Sequence, residues 1–313
     1  MYSLSRRSVI KRFAVGTIPM VLPGMLRARL QVPVRPVTFG VITDVHIGFV
    51  PGAEERLRTF LDVMKKVKPD GLIQMGDFAY PDARYQSQVD MFNAASEHTI
   101  HAIGNHELDH GLTRDDAMKS WGIPGYYYAQ EIGGLKIVVL DGNDQGSPTY
   151  ETHGGYHSYI GPSQQAWLEN ELSEAKQPVL IVSHQPLAGV GALDNAKDMQ
   201  ELLSKYKDKI ILALNGHAHI DQHVEVGGVN YLHINSASYF WLGGKARLAP
   251  YKDALFTTLK IDMEAGSISV EACRSRWAKS SPEETGYFEA GKNVHKRGLV
   301  KPEISGRLIE WSS

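Results

Sequence analysis

Five short apolar runs of this chain each end in a side chain that can bind a metal ion. They are followed by Asp44-Val45-His46, Gly76-Asp77, Gly104-Asn105-His106-Glu107, Ser183-His184 and Gly216-His217-Ala218-His219. Runs of this length between turn signals are typical of buried strands. Because the carboxyl ends of parallel strands meet at one edge of a sheet, the pattern predicts an α/β sheet with metal-binding side chains gathered at that edge.

The order of the predicted elements supports this fold class. Strands are predicted over residues 37–43, 71–75, 99–103, 136–140, 179–182 and 210–214. Helices are predicted over residues 53–67 and from an N-cap at Ser163 to Pro178. Two hairpins follow, at 224–231 and 255–273, and the chain from Arg274 onward is polar and reads as irregular. This order predicts an α/β core extended by an antiparallel sheet.

The bulk composition restricts the class of partner. The 313 residues carry a net charge of −2, so there is no basic surface for a nucleic-acid backbone. The single cysteine, Cys273, excludes an internal disulfide and a cysteine-based zinc site. A small phosphorylated substrate is compatible with this composition, because bound cations would supply positive charge locally. The sequence does not indicate an oligomeric state.

The N-terminus has the features of a targeting segment. Arg6 and Arg7 precede Val9-Ile10-Lys11, which resembles the twin-arginine export signal, and a weakly apolar run follows over residues 13–26. That run is too short to cross a bilayer, so we expect no stable membrane span. We therefore expect residues 1–31 to be a signal segment and the protein to be exported, to the periplasm or another extracytoplasmic compartment. The alternative is a basic arm on a cytosolic protein.

The potential ligands at the strand ends suit two metal ions better than one. They comprise only oxygen and nitrogen donors: Asp44, His46, Asp77, Asn105, His184, His217 and His219. A single zinc ion takes four ligands, or three and a water molecule. Mixed imidazole and carboxylate donors favour manganese, iron, zinc or cobalt over calcium and magnesium. Two such ions, about 3.5–4 Å apart, can clamp both oxygens of a phosphoryl displacement.

In their order and spacing the five motifs resemble those of the calcineurin-like metallophosphoesterases. The match extends from about Val37 to Ile234. The resemblance implies an α/β fold of two packed mixed β-sheets flanked by helices, a metallo-dependent phosphatase-like four-layer sandwich. It places the phosphoesterase domain at residues 32–273 and leaves 274–313 as a C-terminal extension of unassigned role.

The resemblance also implies a role for each motif residue. Asp44, His46 and His219 would hold the first metal ion, Asn105, His184 and His217 the second, and Asp77 would bridge them. A metal-bridging hydroxide would then attack a phosphomonoester or phosphodiester. His106 would stabilise the developing charge or protonate the leaving oxygen, and Glu107 would orient His106. A cyclic nucleotide phosphodiesterase is an alternative within the same superfamily.

Tyr80 introduces a second resemblance. Gly76-Asp77-x-x-Tyr80 is similar to the purple acid phosphatases, in which such a tyrosine binds iron. Those proteins lack the histidine that His46 provides here, and the two ligands are not both needed. We favour His46 as the ligand and Tyr80 as a packing or substrate contact.

Two other classes of function compete with this interpretation. His106-Glu107-Leu108-Asp109-His110 spells the H-E-x-x-H motif, which on a helix is the zinc site of a metalloprotease. Glycines at 104 and 111 argue against such a helix, and a protease would leave the other four motifs unused. A non-catalytic scaffold is disfavoured because the ligand sets are complete.

Several loop residues keep open roles. The roles of His110, His153 and His157 are not fixed by the sequence, although loops that overhang a crevice often carry specificity. Residues 141–144 also follow a strand, so they reach the rim of the site or form a plain turn.

Overall fold

Most of the strands form two six-stranded mixed sheets in the computed structural model. The model describes residues 35–153, 155–243, 247–289, 291 and 293–311. The predicted signal segment, residues 1–31, lies outside these residues. Helices flank the paired sheets, as the resemblance implies.

Strands and helices alternate over the first two-thirds of the chain, apart from one pair of consecutive strands and one pair of consecutive helices. The first part of the chain contains β1 (Val37–Ile42), α1 (Ala53–Val67), β2 (Gly71–Gln74), α2 (Gln86–Asn93), β3 (Thr99–His101), α3 (Arg114–Trp121), β4 (Tyr128–Ile132) and β5 (Leu135–Leu140). The middle part contains α4 (Tyr150–His153), α5 (Pro162–Glu174), β6 (Val179–Ser183), α6 (Ala196–Ser204) and β7 (Ile210–Asn215).

Short strands and turns dominate the remainder. They are β8 (Gln222–Val226), β9 (Val229–His233), β10 (Tyr239–Trp241), β11 (Leu248–Pro250), β12 (Thr257–Asp262), β13 (Ser267–Val270), β14 (Cys273–Arg274), β15 (Glu303–Ile304) and β16 (Arg307–Glu310). Short 3-10 helices span Ala83–Tyr85, His106–Gly111 and Val294–Lys296.

The first sheet joins the two ends of the described chain. Its strand order is β16-β13-β12-β1-β2-β3, in which β1, β2 and β3 are parallel and the other three strands are antiparallel additions. The predicted hairpin β12–β13 therefore pairs with β1, placing Val37 opposite Ile261.

The segment after Arg274 is more ordered than its composition indicates. We expected it to be irregular, but Arg307–Glu310 pairs with Ser267–Val270 and forms the edge of the first sheet. A short edge strand that exposes one face to solvent leaves almost no hydrophobic pattern in the sequence. Two hydrogen bonds of 2.6 Å from the Arg307 guanidinium to Asp221 also hold this strand in place.

The second sheet has the strand order β4-β5-β6-β7-β9-β8. Its central strands are parallel, and the hairpins β4–β5 and β8–β9 provide antiparallel edges. Strand β4 was not predicted, although the β8–β9 hairpin and its Gly227-Gly228 turn were.

The core explains why the two sheets stack. Along β5, Ile137 and Val139 pack into the core that joins the second sheet to the first, whereas Val138 and Leu140 pack into a separate core beneath α5 and α6. Alternation of this kind buries both faces of a strand, one against a sheet and the other against helices. On the first sheet, α1 lies so close to Gly40 that a Cβ there would meet Met64 Sδ at 2.2 Å.

Helix α5 begins earlier than predicted. Gly161 is the N-cap and Pro162 occupies the first turn, so the expected N-cap at Ser163 is wrong. Proline suits the first helical position because its missing N–H group would have no partner within the helix.

No helix in the described part of the chain is long and apolar enough to cross a membrane.

Candidate metal centre

The seven predicted ligands lie at the carboxyl ends of five strands. The strand pattern predicts one sheet edge, but the structure uses two edges that face each other. Strands β1, β2 and β3 of the first sheet precede Asp44, Asp77 and Asn105. Strands β6 and β7 of the second sheet precede His184 and His217. The site therefore depends on the stacking of the sheets and spans the gap between them.

Asp44, His46 and His219 form the first cluster. Their potential ligand atoms all lie within 4.8 Å of one another. His219 Nε2 is 3.0 Å from Asp44 Oδ1 and 3.3 Å from His46 Nε2. Two imidazole nitrogens that face each other at this distance need a proton or a cation between their lone pairs.

The second cluster contains Asp77, His184 and His217, again with ligand atoms within 4.8 Å. Asn105 joins it, because its Oδ1 lies 3.2 Å from His184 Nε2, and His217 Nδ1 lies 3.2 Å from the same nitrogen. Asp77 Oδ2 is 3.3 Å from His184 Nε2 and 3.8 Å from His46 Nε2. Asp77 therefore stands between His184 of the second cluster and His46 of the first.

The backbone at these positions is strained in a consistent way. Five of the seven residues have left-handed backbone, with φ between 48° and 64°: Asp44, His46, Asp77, His217 and His219. Each such residue costs about 1–3 kcal/mol, and strain of this kind concentrates at functional sites. Here it turns the side chains inward immediately after a strand ends.

The motif glycines leave room for the ligands. A Cβ on Gly104 would lie 2.2 Å from Asp77 Oδ1, and one on Gly216 would lie 2.4 Å from Asp44 Oδ2. A Cβ on Gly76, whose φ is 93°, would lie 2.5 Å from His184 Nδ1. Each of these three glycines therefore makes room for a predicted ligand that follows a different strand.

Backbone carbonyl groups orient two of the imidazoles. His184 Nδ1 lies 2.7 Å from the carbonyl oxygen of Met75, and His219 Nδ1 lies 2.8 Å from that of Tyr239. A proton held on Nδ1 leaves the lone pair of Nε2 aimed at the cluster. Histidines that bind metals usually have this arrangement.

The centre also has a strong negative potential. Burial raises the pKa of Asp44, but His219 outweighs it and brings the pKa to about 2. Burial lowers the pKa of His184, but Asp77 outweighs it and raises the pKa to about 10. Burial holds the pKa of His46 at about 3, so that imidazole stays neutral. The two buried carboxylates therefore attract positive charge into the centre, as the raised pKa of His184 indicates, and this fits two metal ions.

His106 lies beside the clusters on their exposed side. Its Nε2 is 4.0 Å from Asp77 Oδ2, and its Nδ1 is 2.7 Å from Asp109 Oδ2. The Tyr156 hydroxyl donates a 2.7 Å hydrogen bond to Asp109 Oδ1. Burial lowers the pKa of His106, but Asp77 and Asp109 outweigh it and raise the pKa to about 9. Both carboxylates therefore favour the protonated form of the imidazole, whose Nε2 is directed at the clusters.

Glu107 does not make the contact expected of it. We expected it to orient His106, but its oxygens accept backbone N–H groups of Gly104, Asp77 and Phe78 at 2.7, 2.9 and 2.7 Å. Glu107 instead ties the loop after β3 to the loop after β2. The carboxylate that hydrogen-bonds to the His106 ring is Asp109. Asp109 lies within the H-E-x-x-H motif, but the sequence did not predict a role for it.

The H-E-x-x-H string does not form a protease helix. Residues 106–111 are a 3-10 segment with non-helical backbone at Asp109, and at His110, where φ is 60°. The potential ligand atom of His106 groups with those of His46 and Asp77 rather than with His110. The His110 ring instead lies 5.3 Å from that of Tyr80.

The tyrosine nearest to the first cluster is Tyr239. Its hydroxyl lies 3.2 Å from His46 Nε2, and no sequence motif singles it out. Tyr80 packs against Tyr85 and His110, and it borders the small space beside His46 and His106. Its position fits the packing or substrate contact that we favoured.

The loop at residues 141–144 supports the site from behind. Asn143 Nδ2 lies 3.3 Å from the carbonyl oxygens of Ile103 and Gly104, and Asn143 Oδ1 accepts a 2.8 Å hydrogen bond from Gln185. It therefore links the loops after β3 and β6. His157 stacks on Tyr150 with ring centroids 4.0 Å apart, and the side chain of His153 lies outside the described part of the structure.

Known proteins are similar to this chain in sequence or in fold. A probable cyclic nucleotide phosphodiesterase from Synechococcus is 28% identical over 194 residues, which cover 57% of this chain and 71% of that protein. A dimetal phosphatase from Danio rerio superposes with a TM-score of 0.60 at 15% identity, over 90% of this chain and 100% of the other. GAP50, the anchor in the inner membrane complex of Plasmodium, gives 0.59 at 12% identity, over 89% and 90% of the two chains.

The two structural likenesses establish the fold alone, because their identities are low. The sequence profile of the calcineurin-like phosphoesterases matches residues 37–221, which contain all seven clustered ligands and His106. Members of that family are hydrolases that act on phosphate esters. The chain therefore belongs to the calcineurin-like phosphoesterase family.

Proposed function

We propose that this protein hydrolyses a phosphomonoester or phosphodiester of a small substrate at a dinuclear transition-metal centre. The observation that carries the proposal is the convergence of Asp44, His46 and His219 on one side of Asp77, and of Asn105, His184 and His217 on the other. Manganese, iron, zinc and cobalt all suit these donors.

The metal ligands, His106 and Asp109 have separate roles in the proposed reaction. Two ions held by these ligands would stabilise the negative charge of the phosphoryl oxygens and activate water as the nucleophile. His106, on the exposed side, presents Nε2–H to the leaving oxygen or to the charge that develops on the phosphoryl group. Asp109 fixes the tautomer of His106 by accepting the hydrogen bond from Nδ1.

A second candidate is the hydrolysis of a cyclic nucleotide diester. It is supported by the Synechococcus relative, which is described as a probable cyclic nucleotide phosphodiesterase. Both candidates use the same ligands and the same acid, so they differ only in the ester that enters the site.

The decisive experiment compares kcat/KM for bis(4-nitrophenyl) phosphate, 4-nitrophenyl phosphate and a cyclic nucleotide, with manganese, zinc, iron or cobalt added to metal-free protein. The general proposal predicts metal-dependent turnover of at least one substrate. Preference for the bis-aryl or the cyclic diester would assign a diesterase, and preference for the mono-aryl ester a monoesterase.

A matched pair of variants guards against contaminating phosphatases. His184→Ala removes a buried predicted ligand, whereas His98→Ala removes an exposed histidine just before β3, at the end of the strand opposite the site. Activity that disappears only in His184→Ala belongs to this site. Activity that survives in both variants would refute the proposal.

We further propose that residues 1–31 direct export. The support is the Arg6-Arg7 pair with its short apolar run. Replacing both arginines with lysine should leave the protein in the cytoplasm of a bacterial host, whereas the unaltered chain should fractionate outside it. Equal distribution of the two proteins would overturn the export proposal without affecting the catalytic one.

A further inference from the structure

Two exposed aromatic rings lie beside His106. The ring centroids of Phe49 and Tyr156 are 5.5 and 5.1 Å from the centroid of His106. Their exposures are 39% and 43%, and in the described ranges Trp241 is the one other aromatic side chain exposed to this degree. Single exposed aromatics are common on protein surfaces, but two at the same catalytic histidine form a local apolar surface.

A tight turn places Phe49 in this position. The backbone N–H groups of Phe49 and Val50 both donate to the carbonyl oxygen of His46, at 3.0 Å each. Gly48 precedes them with φ at 93°, and a Cβ there would lie 2.6 Å from the Tyr85 ring. The Phe49 ring is also 5.7 Å from His46 and 6.3 Å from Tyr239. A turn that contains His46 therefore positions the backbone of Phe49, and the ring lies against His46 and Tyr239.

The ring of Tyr156 is available because its hydroxyl is engaged elsewhere. That hydroxyl bonds to Asp109, which leaves the ring as the part of the side chain that faces solvent. The polar tip is satisfied within the protein, and the apolar body is free to contact a ligand.

Phe49 also borders two spaces. One is the narrow space bordered by His46, Asp77 and His106. The other is an open cavity of about 580 Å³, lined by residues 48–55, Arg58 and Tyr85. A volume of this size matches a small organic group rather than a water molecule.

The geometry points to a subsite in which Phe49 and Tyr156 bind a planar aromatic group of the phosphate ester, an aryl ring or a nucleobase. This inference rests on the proposed function, since the phosphate of the same molecule would sit at the metal clusters. The rings favour such a group because stacked and edge-to-face aromatic pairs gain energy beyond the area that they bury. Every nucleobase also presents a π face.

The test measures binding rather than turnover. Calorimetric titration of the manganese-loaded protein with methyl-, cyclohexyl- and phenylphosphonate varies only the organic group on one phosphonate. We expect phenylphosphonate to bind about two- to tenfold tighter than cyclohexylphosphonate, which has similar size and no π face. Equal affinities for these two ligands would overturn the inference.

Three variants test which side chains cause the preference for phenylphosphonate over cyclohexylphosphonate. Phe49→Leu should abolish the phenyl preference while leaving methylphosphonate affinity unchanged. Tyr156→Phe keeps the ring and should keep the preference, whereas Tyr156→Ala should reduce it. Leu308→Ala, on the exposed face of β16, is the control for removing a surface apolar group. A phenyl preference that persists in Phe49→Leu and Tyr156→Ala would place the aromatic group elsewhere and refute the assignment.

Two further measurements separate the possible failures. An adenosine 5′-phosphonate distinguishes the sources of the ring: tighter binding than phenylphosphonate assigns a nucleobase, and weaker binding assigns a simple aryl group. Metal content and turnover of 4-nitrophenyl phosphate are recorded on the same preparations. Metal-loaded, active protein without an aromatic preference refutes only the subsite, whereas protein that neither retains metal nor turns over ester refutes the proposed function.

Discussion

The floor and the mouth of the site are built in different ways. The floor consists of the seven clustered ligands, six of which are no more than 4% exposed. Backbone geometry sets their positions, through left-handed residues and through glycines that leave no room for a methyl group. The mouth consists of Phe49, His106, Asp109 and Tyr156, which are partly exposed and contact one another through side chains.

This difference assigns different tasks to the two regions. A buried site fixed by backbone tolerates little change, so under the proposed function we expect the floor to determine the reaction. Side chains on loops can change without disturbing the fold, so we expect the mouth to determine how the acid is oriented and which ester binds. Mutations in the floor should therefore remove metal and activity together, whereas mutations in the mouth should change rates and preferences in metal-loaded protein.

The largest effect is expected from adding one methyl group to the floor. In Gly104→Ala the new Cβ would lie 2.2 Å from Asp77 Oδ1 and 2.3 Å from the Asp77 backbone nitrogen, so the bridging carboxylate must move. We expect metal content and activity to fall together to background. Gly125→Ala, whose Cβ would come no closer than 3.1 Å to the Tyr127 carbonyl oxygen, is the control. Retention of both ions in Gly104→Ala would show that the floor is less rigid than described.

The next largest effect is expected at the boundary between floor and mouth. His106→Ala should lower kcat by about 10²–10⁴ and leave the metal content intact, as expected for loss of a general acid. Metal analysis and steady-state kinetics on the same sample measure both quantities, with His98→Ala as the control. Parallel loss of metal would make His106 a ligand and place it in the floor.

A smaller effect is expected within the mouth. Asp109→Asn should lower kcat/KM about 10–100-fold, the range seen when a partner that orients a functional histidine is removed. The loss should be greater for phenyl phosphate than for 4-nitrophenyl phosphate, because the poorer leaving group depends more on a well-placed acid. Asp208→Asn, an exposed carboxylate elsewhere, is the control. An equal loss on both esters would mean that Asp109 supports only the structure of the loop.

The smallest effect is expected from the outer hydroxyl of the same network. Tyr156→Phe removes a hydrogen bond to Asp109 but leaves the 2.7 Å contact between Asp109 and His106. A neutral donor to a charged acceptor contributes about 1.5–3 kcal/mol at most, and partial exposure reduces this. We expect kcat/KM to fall less than in Asp109→Asn. A larger loss of kcat/KM in Tyr156→Phe than in Asp109→Asn would show that Tyr156, rather than Asp109, is the main residue that orients His106.

The floor could be predicted from the sequence, whereas most of the mouth could not. Asp44, Asp77 and His184 each lie within three residues of the end of a strand, so residues close in the sequence determine where they lie. The contact of Tyr156 with His106 joins residues 50 positions apart, and no periodic pattern encodes it. Asp109 stands inside the quoted H-E-x-x-H string, but its role depends on a backbone kink that turns it towards His106.

The same contrast holds for the fold. The alternating pattern predicted the strands that form the parallel parts of both sheets, since each buried run is continuous in the chain, but it predicted them as one sheet. It did not predict that Arg307–Glu310 returns to close the edge of the first sheet, or that the ligands come from two facing sheets. Both features depend on contacts between distant segments.

The central claim is that the floor holds two metal ions, and metal content measures it most directly. Metal-free protein should be loaded with manganese or zinc, freed of excess ion and analysed by inductively coupled plasma mass spectrometry against protein concentration. The structure predicts two ions per chain in the unaltered protein. One ion or fewer in fully loaded, folded protein would contradict the dinuclear centre.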